Sequence, residues 1–187
     1  MRAVKVLHGA DSDVLWLQRD FGIYVVNLFD TGQAARVLEM PKFSLAHLLQ
    51  WYCGVTVDKQ YQLADWRVRP LAPALLKYAR EDTHYLLYVY DRLRNELVAR
   101  ARSRQLPDDE LLRTVLRRSQ AICLKRYEVE AWTPHSHLEL YNRFSLQLGA
   151  PQIRVLAALV RWRDAVARRE DERTAYVLPN HQLFRIV

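Results

Sequence analysis

Residues 3–38, AVKVLHGADSDVLWLQRDFGIYVVNLFDTGQAARVL, decide the fold class. AVKVLH (3–8) is apolar and rich in β-branched residues, which predicts a buried strand. Gly9 turns the chain, and DVLWLQRDF (13–21) carries the periodicity of an amphipathic helix. IYVVNLFD (23–30) predicts a second strand, and TGQAARVL (31–38) opens a second helix. A strand–helix–strand–helix order with short connections implies parallel strands in an α/β layer.

Outward from this segment, SLAHLLQWYCG (44–54) reads as a short helix ending at a glycine. A polar, aromatic connector, VDKQYQLADWRVRPLAP (57–73), leads to a stretch free of internal Gly and Pro from Pro73 to about Arg100. That stretch predicts one long helix. Its apolar stripe is Leu75, Tyr78, Asp82, Leu86, Val89, Leu93 and Leu97, stepping by three and four residues. Asp82 is the only charged member. A carboxylate on a packed face costs several kcal/mol unless a cation, a metal or several donors compensate it. The alternatives are an arginine partner or a place at the exposed margin of the stripe.

After residue 104 only helices are expected, at about 108–124, 135–148 and 151–170. RQLPDDE (104–110) and LGAPQ (148–152) mark boundaries, so three segments are expected: 1–104, 105–148 and 149–187.

With 187 residues, half of them hydrophobic and a quarter charged, the chain has the composition of a folded domain or of one and a fraction. No apolar run approaches the roughly 18 residues of a membrane span, and the N-terminus has no signal-peptide core. Cys53 and Cys123 lie far apart without CxxC spacing, as expected of reduced thiols in an intracellular protein, the alternative being one disulfide. A formal charge of +7 points to a polyanionic partner. Arginines gather at 100–104, 116–119 and 161–171, although each cluster alone reads equally as a solvated helix face.

Asp13 lies beyond the C-terminal end of the first strand, where α/β proteins place their ligands. Asp11, Ser12 or Asp13 can equally cap the following helix. Trp16 lies one turn on from Asp13, as core or as a stacking platform for a base. Asp13 and Asp82 are hard oxygen donors suited to a cation such as Mg²⁺. Tyr78, one turn before Asp82, is a poor base at the pKa of an ordinary phenol, but it can orient an attacking water.

HGADSDVLWLQRDFGIYVVNLFDT, KQYQLADWRVRPL and YAREDTHYLLYVYDRLRNEL together resemble the RNase D branch of the DEDD 3′-5′ exonucleases. Within it they look most like the catalytic subunit that accompanies the eukaryotic nuclear RNA exosome. RWRDAVARREDERTAYVLPNHQLFRI similarly resembles the opening of an HRDC helical domain. The resemblance implies an RNase H-like α/β exonuclease fold followed by a helical linker and an HRDC-like segment. By the same resemblance, Asp13 and Asp82 would bind metal, with Tyr78 positioning water, in a two-metal Mg²⁺ or Mn²⁺ hydrolysis of RNA 3′ ends. Trp16 would lie beside the terminal nucleotide. Lys59, Tyr61, Gln62, Trp66, Arg67 and Arg69 mix cations with aromatics, as a single-stranded RNA path requires. Their alternative is a packed loop whose arginines bind carbonyls. Association with the exosome core and a nuclear and nucleolar location are implied in the same way.

One departure stands against this. The family's first motif, an Asp-x-Glu pair on a strand, has no counterpart here, and the last segment covers only the start of an HRDC domain. The expectation is therefore a fragment with an incomplete metal site and little or no activity of its own. The alternative is a non-catalytic module that holds RNA or a protein partner on a degenerate nuclease fold.

Overall fold

The computed structural model describes residues 3–129, 131–145 and 147–187; the Lys59 side chain lies outside the described part. The chain divides into two compact units, Met1–Tyr127 and Glu128–Val187.

In the first unit, β1 (Lys5–Leu7) pairs in parallel with β2 (Leu28–Asp30), Lys5 opposite Leu28 and Leu7 opposite Asp30. Helix α1 (Asp13–Phe21) makes the crossover. The parallel order is the expected one, but the strands are shorter than their apolar runs. Asn27 adopts a φ of 55°, in the left-handed region, so the second strand pairs only from Leu28 onward. Tyr24 and Val26 before it are exposed.

Helix α2 (Thr31–Val37) starts directly at the end of β2. Asp30 caps it, its carboxylate accepting from the Gln33 backbone N–H at 2.9 Å. Helix α3 (Leu45–Cys53) is capped by Ser44 and ends at Gly54. A short 3₁₀ turn occupies Lys59–Leu63 within the connector.

The single helix expected from Pro73 to about Arg100 is two, α4 (Pro73–His84) and α5 (Leu86–Ser103), meeting at Tyr85. The stripe divides with it. Leu86 of α5 is buried, and Val89, Leu93 and Leu97 pack with Phe29, Ala34, Leu38, Leu48 and Leu49 in one core. Helix α4 buries no residue, and Leu75, Tyr78 and Asp82 are only half-buried. Asp82 therefore does not sit on a fully packed face, which corrects the expectation from periodicity. The physical reason is what lies opposite. Helix α5 packs on α2, α3 and α6 (Glu110–Cys123), whereas the main contact of α4 is with α5. The Tyr52 hydroxyl adds a link between α3 and α5, donating to Glu96 at 2.6 Å.

Helix α6 closes the outer edge of β2. The Asp30 backbone N–H donates to buried Ser119 Oγ at 3.0 Å. Ser119 thus satisfies an N–H group that a bare strand edge would leave open.

The second unit contains α7 (Ser136–Arg143), α8 (Ala150–Arg169), α9 (Thr174–Val177) and α10 (Asn180–Ile186). Leu156, Val160 and Leu183 form its centre. Arg163, 5% exposed, ties α8 to the start of α10 and the residues before it by donating to the Leu178 carbonyl at 2.9 Å and to Asn180 Oδ1 at 2.7 Å. Burial holds its guanidinium pKa below the ordinary value. Among the described residues no helix is long and apolar enough to cross a membrane.

Candidate active site

The turn from His8 to Ser12 leaves the C-terminal end of β1 and delivers Asp13 into the first turn of α1. Gly9 takes a φ of 61°, which a side chain would strain. Ser12 is the N-cap residue, yet no side chain makes a capping hydrogen bond there. Asp11 instead pairs with Lys125. The half-buried Asp13 carboxylate is in no ion pair with a described cation. Desolvation and, second, the neighbouring Asp30 carboxylate raise its pKa above the usual carboxylate value. Trp16, one turn on, is 48% exposed rather than core.

Tyr78 and Asp82 stand one turn apart on α4. Asp82 is also outside any described ion pair, and desolvation followed by the Glu81 carboxylate raises its pKa. The Tyr78 phenol is raised by desolvation and then by the Asp82 charge, so these two groups sense one another. The Tyr78 ring lies 6.2 Å from Tyr61 and 6.0 Å from Trp66, centroid to centroid. Three residues separated in sequence thus form one aromatic cluster beside Asp82.

The remaining members of the connector strip divide. Gln62 is exposed on the 3₁₀ turn. Arg67 forks onto Asp65, Nε at 2.9 Å and Nη2 at 3.1 Å, and brings the Asp65 pKa down to about 2. Arg69 donates to the carbonyls of Trp66 and Val68, which is the packed-loop alternative for that residue. Any role for the Lys59 side chain falls outside the described residues.

Asp13 and Asp82 stand on different elements, each with a charged neighbour of its own. Both are anionic oxygen donors in surroundings that penalise their charge, the chemistry a hard divalent cation relieves. The donor set therefore fits such a cation in kind. In number it is short: among the described residues no group of three or more His, Cys, Asp or Glu can hold a metal ion.

The sequence reading overlooked Asp30 and His8. Asp30 is fully buried and accepts from the Ala10 backbone N–H at 2.8 Å, across the HGAD turn. His8 Nδ1 lies 2.9 Å from Thr31 Oγ1, and that hydroxyl donates to the Leu7 carbonyl at 3.2 Å. With the hydroxyl proton so used, Nδ1 is the donor to Thr31. The available signal was an acid closing an otherwise apolar strand.

Comparison with known proteins identifies the family of the chain. The family described as 3′-5′ exonuclease matches residues 2–98, and the HRDC domain family matches residues 152–187. Exosome complex component 10 of Rattus norvegicus is 54% identical over 183 residues, covering 98% of this chain. The chain spans only 20% of that relative's length. The crystal structure of the catalytic core of RRP6 from Trypanosoma brucei superposes with a TM-score of 0.79 at 41% identity, covering 94% of this chain and 46% of that one. Escherichia coli RNase D, an exoribonuclease involved in structured RNA processing, gives a TM-score of 0.67 at 27% identity, covering 98% and 46%. The α/β layer of the first unit is thus that of the RNase H-like exonuclease fold, and the chain belongs to the 3′-5′ exonuclease family.

Proposed function

We propose that this chain is the catalytic part of a 3′-5′ exoribonuclease that removes nucleotides from the 3′ end of single-stranded RNA. The observation that carries this reading is the Tyr78–Asp82 pair beside the Tyr61–Trp66 aromatic cluster, with Asp13 opening α1. Asp13 and Asp82 would hold Mg²⁺ or Mn²⁺, which when bound supplies Lewis-acid activation of water and charge neutralisation at phosphorus. Tyr78 holds the attacking water through its hydroxyl. Exposed Trp16 and the half-buried Trp66 and Tyr61 offer faces on which unpaired bases stack, while the net positive charge favours the phosphate backbone. Lys59, Gln62 and Arg67 complete the proposed path, with Arg69 bracing the loop that carries Trp66.

The segments 1–104, 105–148 and 149–187 would then be exonuclease domain, helical linker and the start of an HRDC-like domain. The names of relatives such as exosome complex component 10 support action with the exosome; a nuclear and nucleolar setting rests on the family resemblance alone. A second reading, a non-catalytic RNA- or protein-binding module, is favoured by the lack of any described group of three or more metal-ligating side chains.

Degradation of a 5′-labelled single-stranded RNA with Mg²⁺ or Mn²⁺ separates the two. A ladder shortening from the 3′ end supports the exonuclease. RNA left intact but bound by the folded chain supports the module. Under either reading, Trp66→Ala is expected to weaken binding of single-stranded RNA by about 1–3 kcal/mol, read by fluorescence anisotropy. Unchanged affinity would remove the aromatic cluster from the RNA path.

A further inference from the structure

We propose that Asp30 is a positioning residue for Asp13, its buried carboxylate fixing the turn that presents the site carboxylate. The inference rests on the exonuclease reading above.

Asp30 is fully buried, and its two oxygens have different duties. Oδ1 caps α2 through the Gln33 N–H at 2.9 Å, while Oδ2 accepts the Ala10 N–H at 2.8 Å. One carboxylate therefore joins the start of α2 to the turn that runs into α1. Ala10 is itself fully buried, and its carbonyl accepts the Val14 N–H at 3.1 Å, so the anchor passes into the first turn of the helix that carries Asp13.

The surroundings leave Asp30 little freedom. Its own N–H is held by Ser119 Oγ of α6 at 3.0 Å. A Cβ on Gly32 would lie 3.0 Å from Asp30 Oδ1, so a side chain there would press on the carboxylate and shift it by a few tenths of an ångström. The His8–Thr31–Leu7 chain fastens the same two turns a second time. Ser119 lies beyond residues 2–98, so a helix outside the matched exonuclease segment helps set the site. Asp30 also acts on Asp13 through space, as a source of its raised pKa.

A carboxylate whose two oxygens each accept a backbone N–H is held in one orientation, and here it serves by orienting the residue that ligates. Outer partners of this kind change metal affinity by about 10–100-fold when removed.

The test uses the 187-residue chain with Mn²⁺ as probe, its binding followed by the EPR signal of the free ion, beside hydrogen exchange of the 8–14 segment. Asp13→Asn defines the site by abolishing the binding. Asp30→Asn, which keeps one carbonyl acceptor and replaces the other with an N–H donor, is expected to lower Mn²⁺ affinity about tenfold and to speed exchange at Ala10 and Val14, with the thermal transition still cooperative. Ser119→Ala is expected to shift both readouts in the same direction but less, and it decides the matter alone if Asp30→Asn fails to fold. Wild-type Mn²⁺ affinity in both folded variants overturns the inference while leaving the exonuclease reading intact. Mn²⁺ binding that Asp13→Asn leaves unchanged overturns the metal reading itself, and the positioning role with it.

Discussion

In conditions where the chain shortens single-stranded RNA from its 3′ end, Asp82→Asn is expected to cut that hydrolysis by about 100- to 1,000-fold, the scale of removing one preorganised charge-stabilising group. The comparison is made in Mn²⁺ at matched RNA occupancy, so that a binding defect is not read as a chemical one. The substitution is nearly isosteric and removes only the charge. Because α4 buries no residue, the fold should tolerate it.

Stability supplies an independent check whose sign can be worked out. Desolvation and Glu81 raise the Asp82 pKa in the folded state above its unfolded value. A carboxylate shifted in that direction favours folding at acid pH, and the benefit is lost as pH rises through the raised value. At neutral pH without metal, Asp82→Asn should therefore be at least as stable as the parent, with the difference shrinking on acidification. Added Mn²⁺ should reverse the order, raising the melting temperature of the parent by mass action and not that of the variant. Equal hydrolysis by the two proteins would remove Asp82 from the chemistry. A variant that melts well below the parent at neutral pH without metal would show that Asp82 is a structural residue instead.

Phe29→Ala should be the most damaging change in the core of the first unit. Phe29 is fully buried at the centre of β2, and its ring meets Tyr90 edge-to-face at 4.7 Å between centroids. Truncation loses the transfer term and leaves a cavity in a close-packed core, about 3–5 kcal/mol in total. The ring pair contributes about 0.5–1.5 kcal/mol more. Against a domain stability of about 5–15 kcal/mol, that is a large fraction. Urea denaturation should show a lower midpoint with an unchanged m value. Phe21→Ala is the contrast: its side chain is 70% exposed, and the shift should stay within about 0.5 kcal/mol. Similar midpoints for the two variants would mean that this core does not carry the stability of the unit. Phe29 also precedes Asp30 in the chain, so loosening β2 should speed hydrogen exchange in the 8–14 turn.

The sequence by itself determined the elements whose cause is local. Helix α1 occupies Asp13–Phe21 as its periodicity and the following glycine require, and the parallel order of β1 and β2 follows from the intervening helix. The i,i+4 spacing of Tyr78 and Asp82 needed only a helix, and the family resemblance was carried by contiguous motifs. Only the tertiary structure decided how deep each residue lies. Periodicity placed Asp82 on an apolar stripe. Whether a stripe is buried depends on what faces it, and the facing elements end near Leu86. For the same reason Asp30 looked like the end of a strand. Its burial comes from a turn 20 residues earlier and a serine 89 residues later, partners that no local pattern can announce. Nearest-neighbour sterics and helical spacing are written in short windows of sequence. Burial, charge compensation and hydrogen-bond partners are long-range, because they depend on which segments the folded chain brings together.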